Sequence, residues 1–161
     1  MTTDRRTLAV LIAAGGSASV LAAAFAFQHL GGLAPCQLCL WQRWPHAAAI
    51  AIGVLALVIT QGVLGRLLPL AGALAALASG AIGAFHVGVE QKWWEGLASC
   101  SAGSISGIST ADLLNPNVDV GAVVRCDEIA WSMFGLSMAG WNVVLSALLA
   151  MIWIAAYRRS S

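Results

Sequence analysis

Residues 35–43 read Pro-Cys-Gln-Leu-Cys-Leu-Trp-Gln-Arg and lie between two long apolar runs. Cys36 and Cys39 are separated by two residues, so they can close a small disulfide ring. At the start of a helix, the free amide groups and the positive end of the helix dipole favour a thiolate over a thiol. In a helix, Arg43 would share a face with the Cys39 sulfur, four residues earlier. The segment therefore predicts a disulfide that can be opened, beside a cation, at the edge of a membrane span.

Composition indicates that the chain is a membrane protein. Of its 161 residues, 60% are hydrophobic and 9% are charged, whereas a soluble domain carries about 25% charged residues. So few charges cannot cover a surface that faces water. The net charge of +1 gives no reason to expect a nucleic-acid partner. We predict one integral membrane domain over residues 1–161.

Four apolar runs are each about long enough to cross a bilayer core of roughly 30 Å. We predict spans at about 8–27, 40–60, 67–89 and 133–157, with an outer loop at about 90–131 that holds six of the seven acidic residues. Within that loop, the segment 110–114 favours a short helical turn. The predicted fold is therefore an all-α membrane protein, a four-transmembrane-helix bundle with a long outer loop between helices 3 and 4.

Two features of these runs leave alternatives open. Because Pro45 lacks an amide hydrogen, the second helix either starts before Cys39 and bends at Pro45 or starts near Trp44. The small residues 15–19 of the first run either allow close helix contact or are merely tolerated in lipid. Trp141 and Asn142, inside the fourth run, are interpreted as packing and helix–helix hydrogen-bonding residues rather than ligand contacts.

The basic residues predict the orientation in the membrane. Five arginines fall on one side and three basic residues on the other; the first group is Arg5, Arg6, Arg66, Arg158 and Arg159, and the second is Arg43, Lys92 and Arg125. The richer side is expected to be cytoplasmic, which places both termini inside and all four cysteines outside. Five tryptophans fall at the outer ends of the spans, as an interfacial belt would: Trp41, Trp44, Trp93, Trp94 and Trp131. In a bacterium the outer side is the periplasm, where disulfides persist.

The same topology brings the two cysteine pairs together at one face. Cys100 and Cys126 would lie on a water-exposed outer loop, above Cys36 and Cys39. A zinc site built from all four cysteines is disfavoured, because the second pair is 26 positions apart rather than a compact knuckle, and we predict no metal. Two purely structural disulfides in a non-catalytic tetraspan protein are the main alternative. They are disfavoured because so short a ring constrains little chain.

Other ionisable residues near the outer face are weaker candidates. Arg43, taken alone, would be a lipid-headgroup anchor. His86 and Glu90 lie four residues apart near the outer end of the third span. A buried histidine in a membrane is more often a satisfied packing residue, although ionisable groups inside a membrane are candidates for function. His46 and His29 are weaker candidates still.

The motif Pro-Cys-x-Leu-Cys-x-x-x-Arg at 35–43 resembles the redox segment of the DsbB family, disulfide bond formation protein B. The run from Cys126 to Asn142, which contains Phe-Gly-Leu-Ser-Met-Ala-Gly, is similar to the same family. The vitamin K epoxide reductase family also couples disulfides to quinones, but there the Cys-x-x-Cys follows the loop cysteines, whereas here it precedes them.

The resemblance implies a thiol:quinone oxidoreductase of the bacterial inner membrane. It would reoxidise a periplasmic, thioredoxin-like dithiol protein of the DsbA type and pass two electrons to ubiquinone or menaquinone. By the same resemblance, Cys100 bonds the partner's sulfur, Cys126 exchanges with Cys36, and Cys39 faces the quinone. Arg43 would stabilise the Cys39 thiolate and the reduced quinone, and His86 and Glu90 are further candidate quinone-binding residues.

Overall fold

Four long helices make up most of the chain in the computed structural model, which describes residues 2–101 and 124–160. They are α1 (Thr2–His29), α2 (Gln37–Val58), α3 (Gly62–Glu90) and α5 (Met138–Arg158). Between α3 and α5 lie a single helical turn, α4 (Ala98–Ser101), and an antiparallel hairpin of β1 (Ser132–Met133) and β2 (Leu136–Ser137). The predicted segment 110–114 and most of the predicted outer loop lie outside the described residues.

The helices pack in a ring in which each contacts two neighbours. α1 packs on α2 and α5, and α3 packs on α2 and α5. The outward faces carry many exposed large apolar side chains, among them Leu11, Val54, Leu74 and Met151. Soluble proteins rarely expose so extensive an apolar surface to water, so these faces are suited to contact with lipid.

Three of the helices are long and apolar enough to span a membrane: Arg5–His29, Gly62–Glu90 and Met138–Arg158. This count applies to the described residues, and it differs from the four spans predicted. α2 has 22 residues, about 33 Å at 1.5 Å per residue, which is sufficient length. Its first half contains Gln42, Arg43 and His46, and these polar residues lower its mean hydropathy. A fourth span through α2 therefore stays a prediction.

The helix ends differ from the predicted spans for local reasons. α2 begins at Gln37 and runs through Pro45, which settles the alternative of a later start. α3 begins at Gly62 rather than near 67, so the connection after α2 is only three residues long. The fourth helix begins at Met138 rather than 133, because Phe134 and Gly135 take positive φ angles in the hairpin turn. Such paired left-handed residues are typical of a tight two-residue hairpin.

The core near the chain termini is built around the Trp153 side chain, which is fully buried. A Cβ atom added at Gly72 would lie 2.6 Å from the Trp153 ring. Only glycine therefore lets α3 approach the indole this closely. Gly16 likewise faces the Leu149 side chain and provides close contact with α5, whereas a Cβ atom added at Gly15 would meet nothing within 4 Å.

The termini are held together by the buried guanidinium of Arg6, which is only 4% exposed. Its Nε donates to Ser160 Oγ at 3.0 Å, Nη1 donates to Ala56 O at 3.1 Å, and Nη2 donates to Gly65 O at 2.9 Å. Ala56 lies in α2, Gly65 lies in α3, and Ser160 follows α5. One side chain of α1 thus joins the ends of all four long helices. We call this set of contacts the Arg6 clamp.

Candidate redox site

The Cys-x-x-Cys segment is positioned by the start of α2. Cys36 is the N-cap residue, and its Sγ accepts a hydrogen bond from the Cys39 amide at 3.2 Å. The two sulfur atoms are 2.7 Å apart, within reach of a disulfide. Hydrogen bonding to the Cys39 side chain, and then burial, raise the pKa of the Cys36 thiol. In the reduced pair the Cys36 thiol donates toward the Cys39 sulfur, and both sulfurs lie at the positive end of the helix dipole.

Cys100 and Cys126 form a disulfide across 26 positions of the sequence, with their Cα atoms 5.1 Å apart. Cys100 is held in α4, and the Cys126 amide donates to Cys100 O at 3.3 Å. The disulfide packs with Cys36 in one apolar cluster that also contains Leu38 and Val89. The structure thus brings all four predicted cysteines together.

The expected exposure of the loop pair is wrong in this arrangement. Cys100 is 2% exposed and Cys126 is fully buried. The disulfide packs in the same apolar cluster as Leu38, near the start of α2, and Val89, near the end of α3. A soluble partner can reach these sulfurs only after the pair has left the cluster.

His86 connects the two cysteine pairs. Its ring is 3% exposed, with Nε2 3.6 Å from Cys36 Sγ and 3.2 Å from the backbone oxygen of Cys126. Nδ1 lies 3.0 Å from Gln42 Nε2, an amide donor. Nδ1 is therefore the acceptor, and Nε2 carries the hydrogen that points at Cys126 O and Cys36. One imidazole thus contacts both pairs.

Gln42 is the residue of this site that sequence reasoning did not identify. It is buried, and its Nε2 also donates to Leu38 O at 3.2 Å, so both amide hydrogens are used. The result is a fixed orientation for the His86 ring. A signal was present, because Gln42 is a buried-face polar residue one helical turn after Leu38 in an apolar helix. A buried amide requires a partner, and that partner is His86.

Glu90, the acidic residue among the predicted site residues, extends this network toward α5. Ser137 Oγ donates to Glu90 Oε2 at 2.5 Å, and the same Ser137 oxygen accepts from the Gly140 amide as the N-cap of α5. Glu90 Oε1 lies 3.9 Å from His86 Nε2. Glu90 therefore links the His86 ring to the beginning of the last helix.

Arg43, whose charge also acts on the Cys39 thiol as the spacing predicts, makes its hydrogen bonds to α1. Nη1 donates to Gln28 Oε1 at 2.6 Å and Nη2 donates to Ala24 O at 3.3 Å. The guanidinium carbon lies 4.9 Å from the centre of the Phe25 ring, a cation–π distance. These contacts hold a half-buried cation in the groove between α1 and α2, on the Cys39 side of the bundle.

A second polar layer lies one turn deeper in the bundle. Asn142 Oδ1 is 2.9 Å from His46 Nε2, and Asn142 Nδ2 donates to Ser79 O at 3.2 Å. α5 is thereby hydrogen-bonded to both α2 and α3. The interpretation of Asn142 as a helix–helix hydrogen-bonding residue is confirmed. Trp141 donates to Met133 O instead, at the hairpin, and His29 stacks on Phe25.

The fold and the site together define a class: a helical membrane protein with two juxtaposed cysteine pairs, one at a helix start and one joining two loop segments. The profile of the family "Disulfide bond formation protein DsbB" matches residues 5–156. The chain belongs to the DsbB family.

Curated relatives agree with this assignment. The chain is 33% identical over 165 residues to disulfide bond formation protein B of Verminephrobacter eiseniae, which covers 98% of this chain and 88% of the relative. It is 32% identical over 146 residues to disulfide bond formation protein B of Albidiferax ferrireducens, with 83% and 80% covered. For disulfide bond formation protein B 2 of Pseudomonas aeruginosa the identity is 33%, with 88% and 84% covered. No solved structure matches the chain with statistical significance.

Proposed function

We propose that this protein is a thiol:quinone oxidoreductase of the bacterial inner membrane, which generates disulfides for a DsbA-type dithiol protein of the periplasm. The observation that carries the proposal is the His86 contact to both cysteine pairs, at 3.6 Å from Cys36 Sγ and 3.2 Å from Cys126 O. Two disulfides that serve only stability would not require a buried histidine in contact with both. Membership of the DsbB family and the names of the relatives support the same reading.

Electrons would pass between the pairs by thiol–disulfide exchange. A thiolate of the partner attacks the Cys100 sulfur, the Cys100–Cys126 bond breaks, and Cys126 leaves as a thiolate. The partner's second thiolate then attacks the partner's first sulfur and displaces Cys100. The partner leaves with a disulfide, and Cys100 and Cys126 remain as a reduced dithiol. In the next exchange Cys126 attacks Cys36, and the Cys36–Cys39 bond breaks with Cys39 as the leaving thiolate. Cys100 then attacks Cys126, which releases Cys36 and forms the loop disulfide again. The sum is one disulfide made in the partner and one dithiol left at Cys36 and Cys39.

His86 is suited to the second exchange. Its Nε2 hydrogen points at Cys126 O and lies near Cys36 Sγ, so it can donate to a thiolate that forms there and stabilise the negative charge. Gln42 keeps the donor on that side of the ring. This places His86 on the disulfide side of the site, and its predicted contact with the quinone remains a prediction, as does that of Glu90.

A quinone accepts two electrons and two protons when it is bound beside a dithiol. Cys39 is partly exposed, whereas Cys36 is buried, so Cys39 is the sulfur that a lipid-soluble oxidant can reach. In the described contacts Arg43 uses two N–H groups, and a guanidinium has five. The remaining donors fit a quinone oxygen, and Phe25, whose ring centre lies 4.9 Å from the guanidinium carbon, supplies apolar surface beside them. Ubiquinone or menaquinone would serve equally in this chemistry.

The decisive experiment is quinone reduction by the purified, full-length protein. We expect catalytic loss of the ubiquinone absorption band when a reduced thioredoxin-like dithiol protein is supplied, with one partner disulfide formed per quinone consumed. Cys39→Ser is the matched control. If the wild-type protein consumes no quinone while its four cysteines are intact, the proposal is wrong and the structural-disulfide alternative stands.

The proposed orientation can be tested separately in intact cells. With both termini cytoplasmic, a membrane-impermeant thiol reagent should label Cys39 after mild reduction, without permeabilisation of the inner membrane. A single cysteine introduced at Ser160, beside the Arg6 clamp, should be labelled only after permeabilisation. The reverse pattern would overturn the arginine-based topology.

A further inference from the structure

Three metal-ligating atoms converge at the start of α2. The Cys36 and Cys39 sulfurs and a ring nitrogen of His86 all lie within 4.8 Å of one another. Cys36 is 4% exposed and His86 is 3% exposed, while Cys39 is partly exposed. Two of the three ligand residues are therefore buried, and an ion can reach the group past the third, Cys39. Sulfur and imidazole donors are those preferred by zinc.

The donor spacing suits a tetrahedral ion. With Zn–S of about 2.3 Å and Zn–N of about 2.0–2.1 Å, neighbouring sulfur and nitrogen ligands lie about 3.5 Å apart. The observed distance from Cys36 Sγ to His86 Nε2 is 3.6 Å. The sulfur atoms, now 2.7 Å apart, must separate by about another 1 Å to take two ligand positions at those bond lengths. Cys39 has room to turn because it is partly exposed.

The surroundings also suit a histidine ligand. A metal-bound histidine needs a partner that accepts the hydrogen on its other nitrogen. Gln42 lies 3.0 Å from Nδ1, and rotation of its amide, which gives up the bond to Leu38 O, would present the oxygen in place of the nitrogen. The imidazole proton then moves from Nε2 to Nδ1, and Nε2 is open to the ion.

We infer that Cys36 and Cys39, when reduced, form with His86 a binding site for a thiophilic divalent cation such as Zn²⁺. Binding releases the thiol protons of the pair to solvent, so affinity rises with pH. The two sulfurs stay reduced, and an ion held on both prevents them from closing a disulfide. The binding itself does not depend on the proposed quinone reaction, although an occupied site would block it.

The test uses Co²⁺ as a probe on the full-length protein, in a Cys100→Ser, Cys126→Ser background in which Cys36 and Cys39 are the only thiols. We expect one ion per chain and the near-ultraviolet charge-transfer absorption of cobalt–thiolate bonds. Oxidation of Cys36 and Cys39 to a disulfide should abolish that absorption. Cys39→Ser should reduce its intensity by about half, because one of the two sulfur ligands is lost.

Two variants test the nitrogen ligand. His86→Ala should weaken Co²⁺ binding by more than about tenfold, and Gln42→Leu, which keeps all three ligands, should weaken it by about tenfold. His29→Ala, which removes the histidine stacked on Phe25, is the matched control and should change nothing. Absence of thiolate absorption in the reduced protein, or unchanged affinity and spectrum in His86→Ala, would overturn the inference.

Discussion

The two ends of the bundle join the helices by different means: hydrogen bonds from a charged arginine at one end, and a disulfide with a histidine at the other. At the end that carries the termini, the Arg6 clamp joins all four long helices through three hydrogen bonds from one permanently charged side chain. At the other end, a disulfide and a neutral histidine hold α2, α3 and the loop segments together. The hydrogen bonds of Arg6 do not depend on redox state, and the guanidinium stays charged. The disulfide can be reduced, and the contacts of the histidine depend on its protonation.

This difference indicates where the molecule is permitted to change. Reduction of Cys100 and Cys126 removes a covalent link at the redox end and leaves the Arg6 clamp untouched. The hydrogen bonds of the buried arginine connect the far ends of the helices independently of that covalent link. Stability and reactivity are thus assigned to opposite ends of the same four helices.

The largest effect is expected from the cysteines themselves. Cys39→Ser should abolish quinone reduction, because a single sulfur at the start of α2 cannot form the disulfide, yet the variant should still trap a covalent complex with the partner. Cys100→Ser should lose that complex. Non-reducing electrophoresis after mixing with the partner checks both. The same trapping behaviour in the two variants would contradict the division of labour between the pairs.

Arg6→Met should cost stability without a comparable loss of chemistry. The change leaves Ala56 O and Gly65 O without their charged donor, and we expect a loss of about 3 kcal/mol in the free energy of unfolding. Arg5→Met is the matched control, since Arg5 is an exposed arginine one residue earlier and should lie close to wild type. Denaturant titration in detergent measures both. Equal stability of the two variants would remove the distinction between the ends.

Replacement of Arg43 tests whether that cation serves the quinone or only the helix pair. Arg43→Gln should raise the quinone KM by about tenfold, the effect of losing roughly 1.4 kcal/mol of binding. Arg43→Lys should be intermediate, because it keeps the charge and loses the planar fork. Arg66→Gln, at the other end and stacked on Tyr157, is the control. A wild-type quinone KM in Arg43→Gln would reduce the residue to an anchor.

The smallest effect is expected at the ion pair beside Cys126. Hydrogen bonds from Arg125 at 2.7 and 2.9 Å hold the pKa of Asp127 below its usual value. A depressed carboxyl pKa stabilises the folded state above the unfolded-state pKa, and this contribution is lost as the pH falls through the lower folded value. Carbon NMR titration should show the Asp127 pKa rising toward normal in Arg125→Gln. An unchanged value would mean that the pair is not formed in solution.

Much of the fold follows from local rules that can be read along the chain. The apolar runs predict the helices, and the Cys-x-x-Cys with its N-cap geometry is a local feature of the start of α2. The exposed-loop interpretation of Cys100 and Cys126 was wrong, because burial of that disulfide depends on apolar surface supplied by α2 and α3. The hydrogen-bond partners of Arg43 are hidden in the sequence for a similar reason: spacing places the residue on the Cys39 face of α2, but Gln28 and Phe25 belong to α1.

In the sequence Arg6 is visible only as a charge on the predicted cytoplasmic side, since its partners are 50, 59 and 154 positions away. Gln42 was passed over because its partner His86 is 44 positions away. Both residues are polar groups whose roles arise from hydrogen bonds between helices. Hydropathy reflects only the free-energy cost of placing these polar groups in an apolar helix. The hydrogen-bond partner that offsets this cost lies on another helix and is visible only once the helices are packed.

The Arg6 clamp also sets an order of events during biosynthesis. Arg6 and the Ser160 hydroxyl that receives its Nε hydrogen are 154 positions apart along the chain. The guanidinium can meet Ala56 and Gly65 as soon as the second and third helices are in place, but the full set of bonds waits for the final turn of α5. The complete set of clamp bonds therefore forms only after all four long helices have been synthesised.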